Sequence, residues 1–212
     1  MISAPSLIAQ GVLVAAAVFV VCLLLLHVTQ PDLHPASRML SEYALGRGGA
    51  LMTLAFFAMA AVFLLLCIAL RAQLHGIWGA LGQLALLLAA VGSAMGGLFP
   101  MDPVGTPPDR FTSTGKLHGL AFMLGGPGAL LSATFVNLAL ARQPSWQAAR
   151  LDLQWTGAMV WGVYIAFSVA VVLLMKGNKL AANWAGWFNR ALVLSWMIWA
   201  VVLVRAVLKS LR

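Results

Sequence analysis

The chain has 212 residues, of which 62% are hydrophobic and only 8% charged, with a mean hydropathy of +0.96 and a formal net charge of +8. An ordinary soluble domain carries about 25% charged residues, so this chain cannot clothe a water-facing surface and reads as an integral membrane protein. The basic excess does not point to nucleic acid, because Lys and Arg sit singly at the ends of apolar segments, as interfacial anchors do.

Six apolar segments run at about 7–28, 49–70, 79–99, 117–140, 155–175 and 186–208. Each is close to the ~20 residues a helix needs to cross the hydrocarbon core. They are continuously apolar and lack the alternation of a membrane barrel. Backbone groups in lipid must pair within their own segment. The predicted fold is therefore all-α: a polytopic bundle of six transmembrane helices forming a single domain over 1–212. No basic residue precedes the first segment, and its apolar core is too long for a signal peptide, so it reads as a membrane helix. Cys22 and Cys67 lie inside helices and make no CxxC pattern.

After the first segment, Pro35 suits the start of a short helix and Gly46 its end. Wound as a helix, Met39, Leu40, Tyr43 and Ala44 share one face, while Arg38, Ser41 and Glu42 share the other, with Arg38 and Glu42 paired at i, i+4. This predicts a short amphipathic helix lying in the interface of the first exposed loop. In the third segment, Gly92-Ser93-Ala94-Met95-Gly96 offers a small face for close helix packing. The loop that follows carries Pro100, Pro103, Pro107 and Pro108, which bar a regular helix and stiffen the chain. Ser113 or Thr114 is expected to cap the fourth helix, leaving Lys116 and His118 in its first turn.

Within that helix, Gly125-Gly126-Pro127-Gly128 predicts a kink. The other reading is a broken helix of the kind that forms transport sites. Gly49–Phe56 aligns with Gly115–Phe122, matching at Gly, Leu, Leu, Ala and Phe, as duplication of a two-helix unit would produce. Trp78, Trp146, Trp155, Trp184 and Trp187 read as interfacial belt residues, and Trp161, Trp196 and Trp199 as packing.

Six crossings place the loops after the first and third segments on one side. Those loops and the helix ends beside them carry Asp32, His34, Glu42, Asp102, Asp109 and His118. One polar site built from residues 29–47 and 100–118 follows. Lys and Arg divide almost evenly between the two sides. The basic run Arg205, Lys209 and Arg212, suited to anionic headgroups, places the termini in the cytoplasm of a cell inner membrane.

The motifs of these two loops give the chain a family resemblance. His34-Pro35, Ser41-Glu42-Tyr43-Ala44-Leu45-Gly46, Phe99-Pro100-Met101-Asp102 and Gly115-Lys116-Leu117-His118 resemble those of an uncharacterised bacterial and archaeal membrane family, the domain of unknown function 998. The resemblance covers nearly the whole chain. It implies a six-helix unit and gives weight to His34, Ser41, Glu42, Asp102 and His118 without assigning them an activity.

Two imidazoles with carboxylates can ligate a divalent ion, so His34, Asp102 and His118 form a candidate metal set. Such an ion would activate water, with Glu42 or Asp102 as base; Ser41 or Ser37 is the alternative nucleophile. His34, Arg38, Tyr43 and Lys116 are the candidate ligand contacts, and the expected partner is a membrane lipid or lipid-like molecule. Each residue also has a plain structural role open to it: Glu42 pairing with Arg38, Asp109 with Arg110 or Lys116, and Asp32 and Asp102 forming turns beside proline. No Asp, Glu, Lys or Arg lies in the middle of a segment, which disfavours ion-coupled transport. A haem held by His27 and His118, a non-catalytic accessory protein and a carrier of a small apolar molecule remain as alternatives.

Overall fold

The computed structural model describes residues 4–210. Six helices follow one another: α1 (Ala4–Thr29), α2 (Gly49–Leu70), α3 (Gly76–Leu98), α4 (Ser113–Leu140), α5 (Arg150–Met175) and α6 (Lys179–Ser210). All six are long and apolar enough to cross a membrane, and the described residues contain no strand. The bundle is the all-α polytopic architecture expected. Several helices extend past the apolar stretch in polar turns such as Ser113–Lys116 and Arg150–Asp152, because a helix continues beyond the hydrocarbon into the headgroup layer. Arg212 lies outside the described residues.

Between α3 and α4 the backbones meet. A side chain on Gly92 would collide with the backbone of Ala121 and Gly125, and one on Gly128 with the backbone of Leu88 and Ala89. Lipid tails are as apolar as leucine, so helices in a bilayer gain most from such close van der Waals approach. The small-residue face of α3 thus packs as expected. Gly125 and Gly128, either side of Pro127, serve that same contact, and α4 runs helical through the proline rather than breaking there. This pair has the most extensive contact in the bundle, followed by α1 with α2, α5 with α6 and α2 with α3.

Helix α6 closes the bundle. It touches α1 and α2 as well as α5, whereas α4 meets α5 sparsely and α6 hardly at all. One amide bridges that thin seam: Asn137 of α4 accepts a hydrogen bond from Trp199 of α6 at 3.1 Å and donates to the carbonyl of Leu153 of α5 at 2.8 Å.

Two local expectations are corrected. The first exposed loop holds a six-residue 3-10 turn, Leu40–Leu45, instead of an amphipathic helix starting at Pro35. It does not lie flat on the interface but packs into the bundle, with Leu40, Glu42 and Tyr43 all buried. Its side chains are drawn inward by partners on α6, which local periodicity cannot reveal. The cap of α4 is Thr112, not Ser113 or Thr114: its hydroxyl accepts from Gly115 N–H at 3.0 Å.

Candidate functional site

The end of the bundle bearing the acidic loops is organised around one buried cation. Arg190, three turns into α6, is only 5% exposed. Its Nε donates to His27 Nε2 at 2.8 Å, and Nη1 donates to the carbonyls of Arg38 at 2.7 Å and Gly186 at 3.0 Å. Nη2 donates to the Tyr43 hydroxyl at 3.1 Å, and the guanidinium also lies over the Tyr43 ring, 5.7 Å from its centroid. A guanidinium can only donate, so His27 Nε2 must be the acceptor. His27 Nδ1 then carries the proton and donates to the carbonyl of Leu23 at 2.6 Å.

The same stretch of α6 grips the loop at two further points. Asn189 Oδ1 accepts from Leu40 N–H at 2.9 Å, and Gly186 N–H donates to the carbonyl of Ala36 at 2.8 Å. Gly186 is small of necessity, since a side chain there would strike the backbone of Pro35, Ala36 and Arg38. Residues 186, 189 and 190 fall at i, i+3 and i+4, on one face. Gln30, just past the end of α1, adds a bond to the Tyr43 carbonyl at 3.2 Å.

Each acid proposed as a catalytic base has a local task. Glu42 is 6% exposed; one carboxylate oxygen accepts from Met39 N–H at 2.7 Å and the other pairs with Arg38 at 3.2 Å. Asp102 accepts from the backbone N–H and the hydroxyl of Thr112, at 2.9 and 2.8 Å, and its carboxylate lies against Gly115. A carboxylate at a helix N-terminus both meets free N–H groups and complements the helix dipole. Tyr43 is fully buried, and its hydroxyl donates to the Leu33 carbonyl at 3.0 Å. His34 and Lys116 are exposed. Ser41 donates to the Met101 sulfur at 3.1 Å, joining the two loops.

His34, Asp102 and His118 are not brought together. Among the described residues no group of three or more His, Cys, Asp or Glu side chains is placed to share a metal ion. Nor is His27 open to haem iron, since both its ring nitrogens are bonded within the protein. Arg38–Glu42 is the ion pair present among the described residues, so Asp109 makes none with Arg110 or Lys116.

Beneath the loop lies a cavity of about 90 Å³. Its walls come from α1, α2, α3, α4, α6 and the 3-10 turn, and it occupies the seam where α4 and α6 stand apart. Ser41, His118 and Asn189 line its loop end, and Met59, Gly125 and Trp196 its inner part. Two turns of helix, about 10 Å, separate these levels along α4 and α6. Two matched positions of the Gly49–Phe56 and Gly115–Phe122 segments face this space: Met52 with His118, and Phe56 with Phe122. Phe56 stands edge-on to the His118 ring, with centroids 6.0 Å apart.

His118 is one of the predicted residues that line the cavity. Its Nδ1 is 2.7 Å from the Phe99 carbonyl, and a carbonyl only accepts, so Nδ1 carries the proton. Nε2 is left as a lone-pair acceptor on a residue lining the cavity. Ser41 lines it too. Sequence reasoning missed Arg190, Asn189 and Trp196. The available signal was the polar pair Asn189-Arg190 interrupting the apolar run of α6 one turn after Gly186.

Fold and site together define a multi-pass membrane protein with a small cavity inside its helical bundle, capped by a buried loop. The chain belongs to the DUF998 family, described as proteins of unknown function, whose family model matches residues 13–206. No curated protein and no solved structure matches it.

Proposed function

We propose that this protein binds a membrane-soluble amphiphile, receiving its polar end in the cavity between α4 and α6. The carrying observation is the placement of the cavity. It lies at the seam where α4 and α6 scarcely touch, has mainly apolar walls, and presents Ser41, His118 and Asn189 at its loop end. Ligand sites are typically apolar hollows with a few placed polar groups. A molecule dissolved in the bilayer reaches such a seam laterally, without crossing water. At about 90 Å³, the space equals that of about three waters in the liquid. It therefore takes one end of an amphiphile, the remainder staying among the helices and lipid. Metal-assisted hydrolysis has no support in the geometry: among the described residues no three His, Cys, Asp or Glu side chains are placed to share an ion, and Glu42 and Asp102 are hydrogen-bonded locally.

The test is to identify amphiphiles retained by the gently purified protein, by native mass spectrometry, in the wild type and in Gly126→Leu. Gly126 lines the cavity, and a side chain there meets only the edge of the Phe122 ring. Retention in the wild type and loss in the variant is the expected result; equal retention in both would sink the reading.

For orientation, we infer cytoplasmic termini in a bacterial inner membrane, supported by exposed Arg205 and Lys209 near the end of α6. Cys22 and Cys67 are buried, so a cysteine introduced at exposed Val104 or Gln147 reports sidedness on its own. An impermeant maleimide added outside spheroplasts is expected to label Val104→Cys and spare Gln147→Cys; the reverse pattern inverts the topology.

A further inference from the structure

The polar atoms of the cavity narrow the class of molecule, and this step rests on the binding reading just given. Among the described residues, no Asp, Glu, Lys or Arg lines the cavity. The nearby buried cation, Arg190, already gives four hydrogen bonds to His27, Arg38, Gly186 and Tyr43. Lys116 is exposed. An anionic headgroup entering here would lose its water without meeting a counter-charge, which is strongly unfavourable. The same holds for an ammonium, because Glu42 and Asp102 are bonded elsewhere and neither lines the space.

At its loop end the wall presents a free imidazole acceptor and a free amide donor, beside the Ser41 hydroxyl, whose proton is given to Met101. His118 Nε2 is the acceptor, its tautomer set by the Nδ1 bond to Phe99. Asn189 supplies the donor: its Oδ1 is held by Leu40 N–H, so its amide nitrogen is turned the other way and has no protein partner. Both residues line one space of about 90 Å³, small enough that they address a single group. From this we infer that the ligand is uncharged and ends in a hydroxyl, which donates to His118 Nε2 and accepts from Asn189 Nδ2. The ligand is thus a membrane-soluble alcohol, not a phospholipid headgroup. A ketone or ether would leave His118 Nε2 unmet, and a hydrocarbon would leave both unmet.

The experiment measures saturable binding of three labelled probes of equal chain length, 1-octanol, 1-methoxyoctane and octyl phosphate, to the full chain in lipid nanodiscs. Octanol is expected to bind about tenfold more tightly than the ether, the size of one good hydrogen bond, and octyl phosphate to show no saturable binding. In His118→Phe, which keeps a ring beside Phe56, the preference for alcohol over ether should fall to about one. The wild-type preference is itself decisive, so the result does not depend on that variant folding. If alcohol and ether bind equally and Gly126→Leu abolishes both, the cavity binds amphiphiles and the hydroxyl assignment is wrong. Tightest binding of octyl phosphate overturns the assignment in favour of an anionic ligand. No saturable binding of any probe overturns the assignment, while lipid retained by the wild type and lost in Gly126→Leu would still sustain the broader reading.

Discussion

Residues 30–48 and 99–112 are loops on the same face, each rich in polar side chains and each leading into a membrane helix, yet they are anchored over very different distances. The first is drawn into the bundle, with Gln30, Leu40, Glu42 and Tyr43 buried. Its principal anchors, Gly186, Asn189 and Arg190, come from the last helix, some 150 positions along the chain. The second loop is mostly exposed and, apart from the Ser41 bond to Met101, is held by neighbours within about twenty positions: Asp102 by Thr112, and the Phe99 carbonyl by His118. A buried polar loop stands only while distant donors satisfy it. An exposed, proline-stiffened loop depends on little beyond itself.

This contrast can be broken by substitution, and Arg190→Met is the strongest attempt. It strands the Arg38 carbonyl and His27 Nε2 below the surface and leaves the Tyr43 hydroxyl with Leu33 alone, and a loss of about 2–5 kcal/mol is expected. The thermal unfolding midpoint should drop sharply, and limited proteolysis should now cut near residues 36–45. A variant as stable and protease-resistant as the wild type would mean that the loop is held by packing alone. Gly186→Ala tests the same anchorage sterically. Its methyl group would strike the backbone of the first loop, for about 1–3 kcal/mol by the usual scale of overpacking.

In the second loop the effects should be smaller. Asp102→Ala removes the carboxylate from the start of α4, for about 1 kcal/mol, and hydrogen exchange should quicken at Thr112–Lys116 without spreading to α6. Lys116→Ala changes an exposed residue outside any ion pair of the described structure. Its unfolding free energy should stay within about 0.5 kcal/mol of the wild type, and a larger shift would give the second loop an electrostatic anchor.

How much of this could be read in advance follows the same division. The six helices are legible because each apolar run is long enough to span, and α2 falls at Gly49–Leu70 as anticipated. The shared side of the two loops follows from counting crossings, and the Arg38–Glu42 pair from i, i+4 spacing. Arg190 was not legible. A single cation near a helix end looks like an interfacial anchor unless the face of α6 that meets His27 and Tyr43 is known. Glu42 and Asp102 looked catalytic for a related reason: residue type shows what a carboxylate is able to do, and only its neighbours show that its lone pairs are taken. The cavity lay beyond sequence altogether, being a gap between helices that fail to touch.

The position of Arg190 in the chain has a consequence for how the protein is made. Chains emerge from the ribosome with the N-terminus first, so His27 and Tyr43 enter the membrane long before the side chain that ties them together. Until α6 arrives, Tyr43 has no guanidinium, Leu40 has no amide to donate to, and the cavity lacks one wall. A nascent chain that has inserted five helices thus has most of its bulk but neither an anchored first loop nor a closed cavity. The final insertion step both seats the last helix and fastens the loop over the space it encloses.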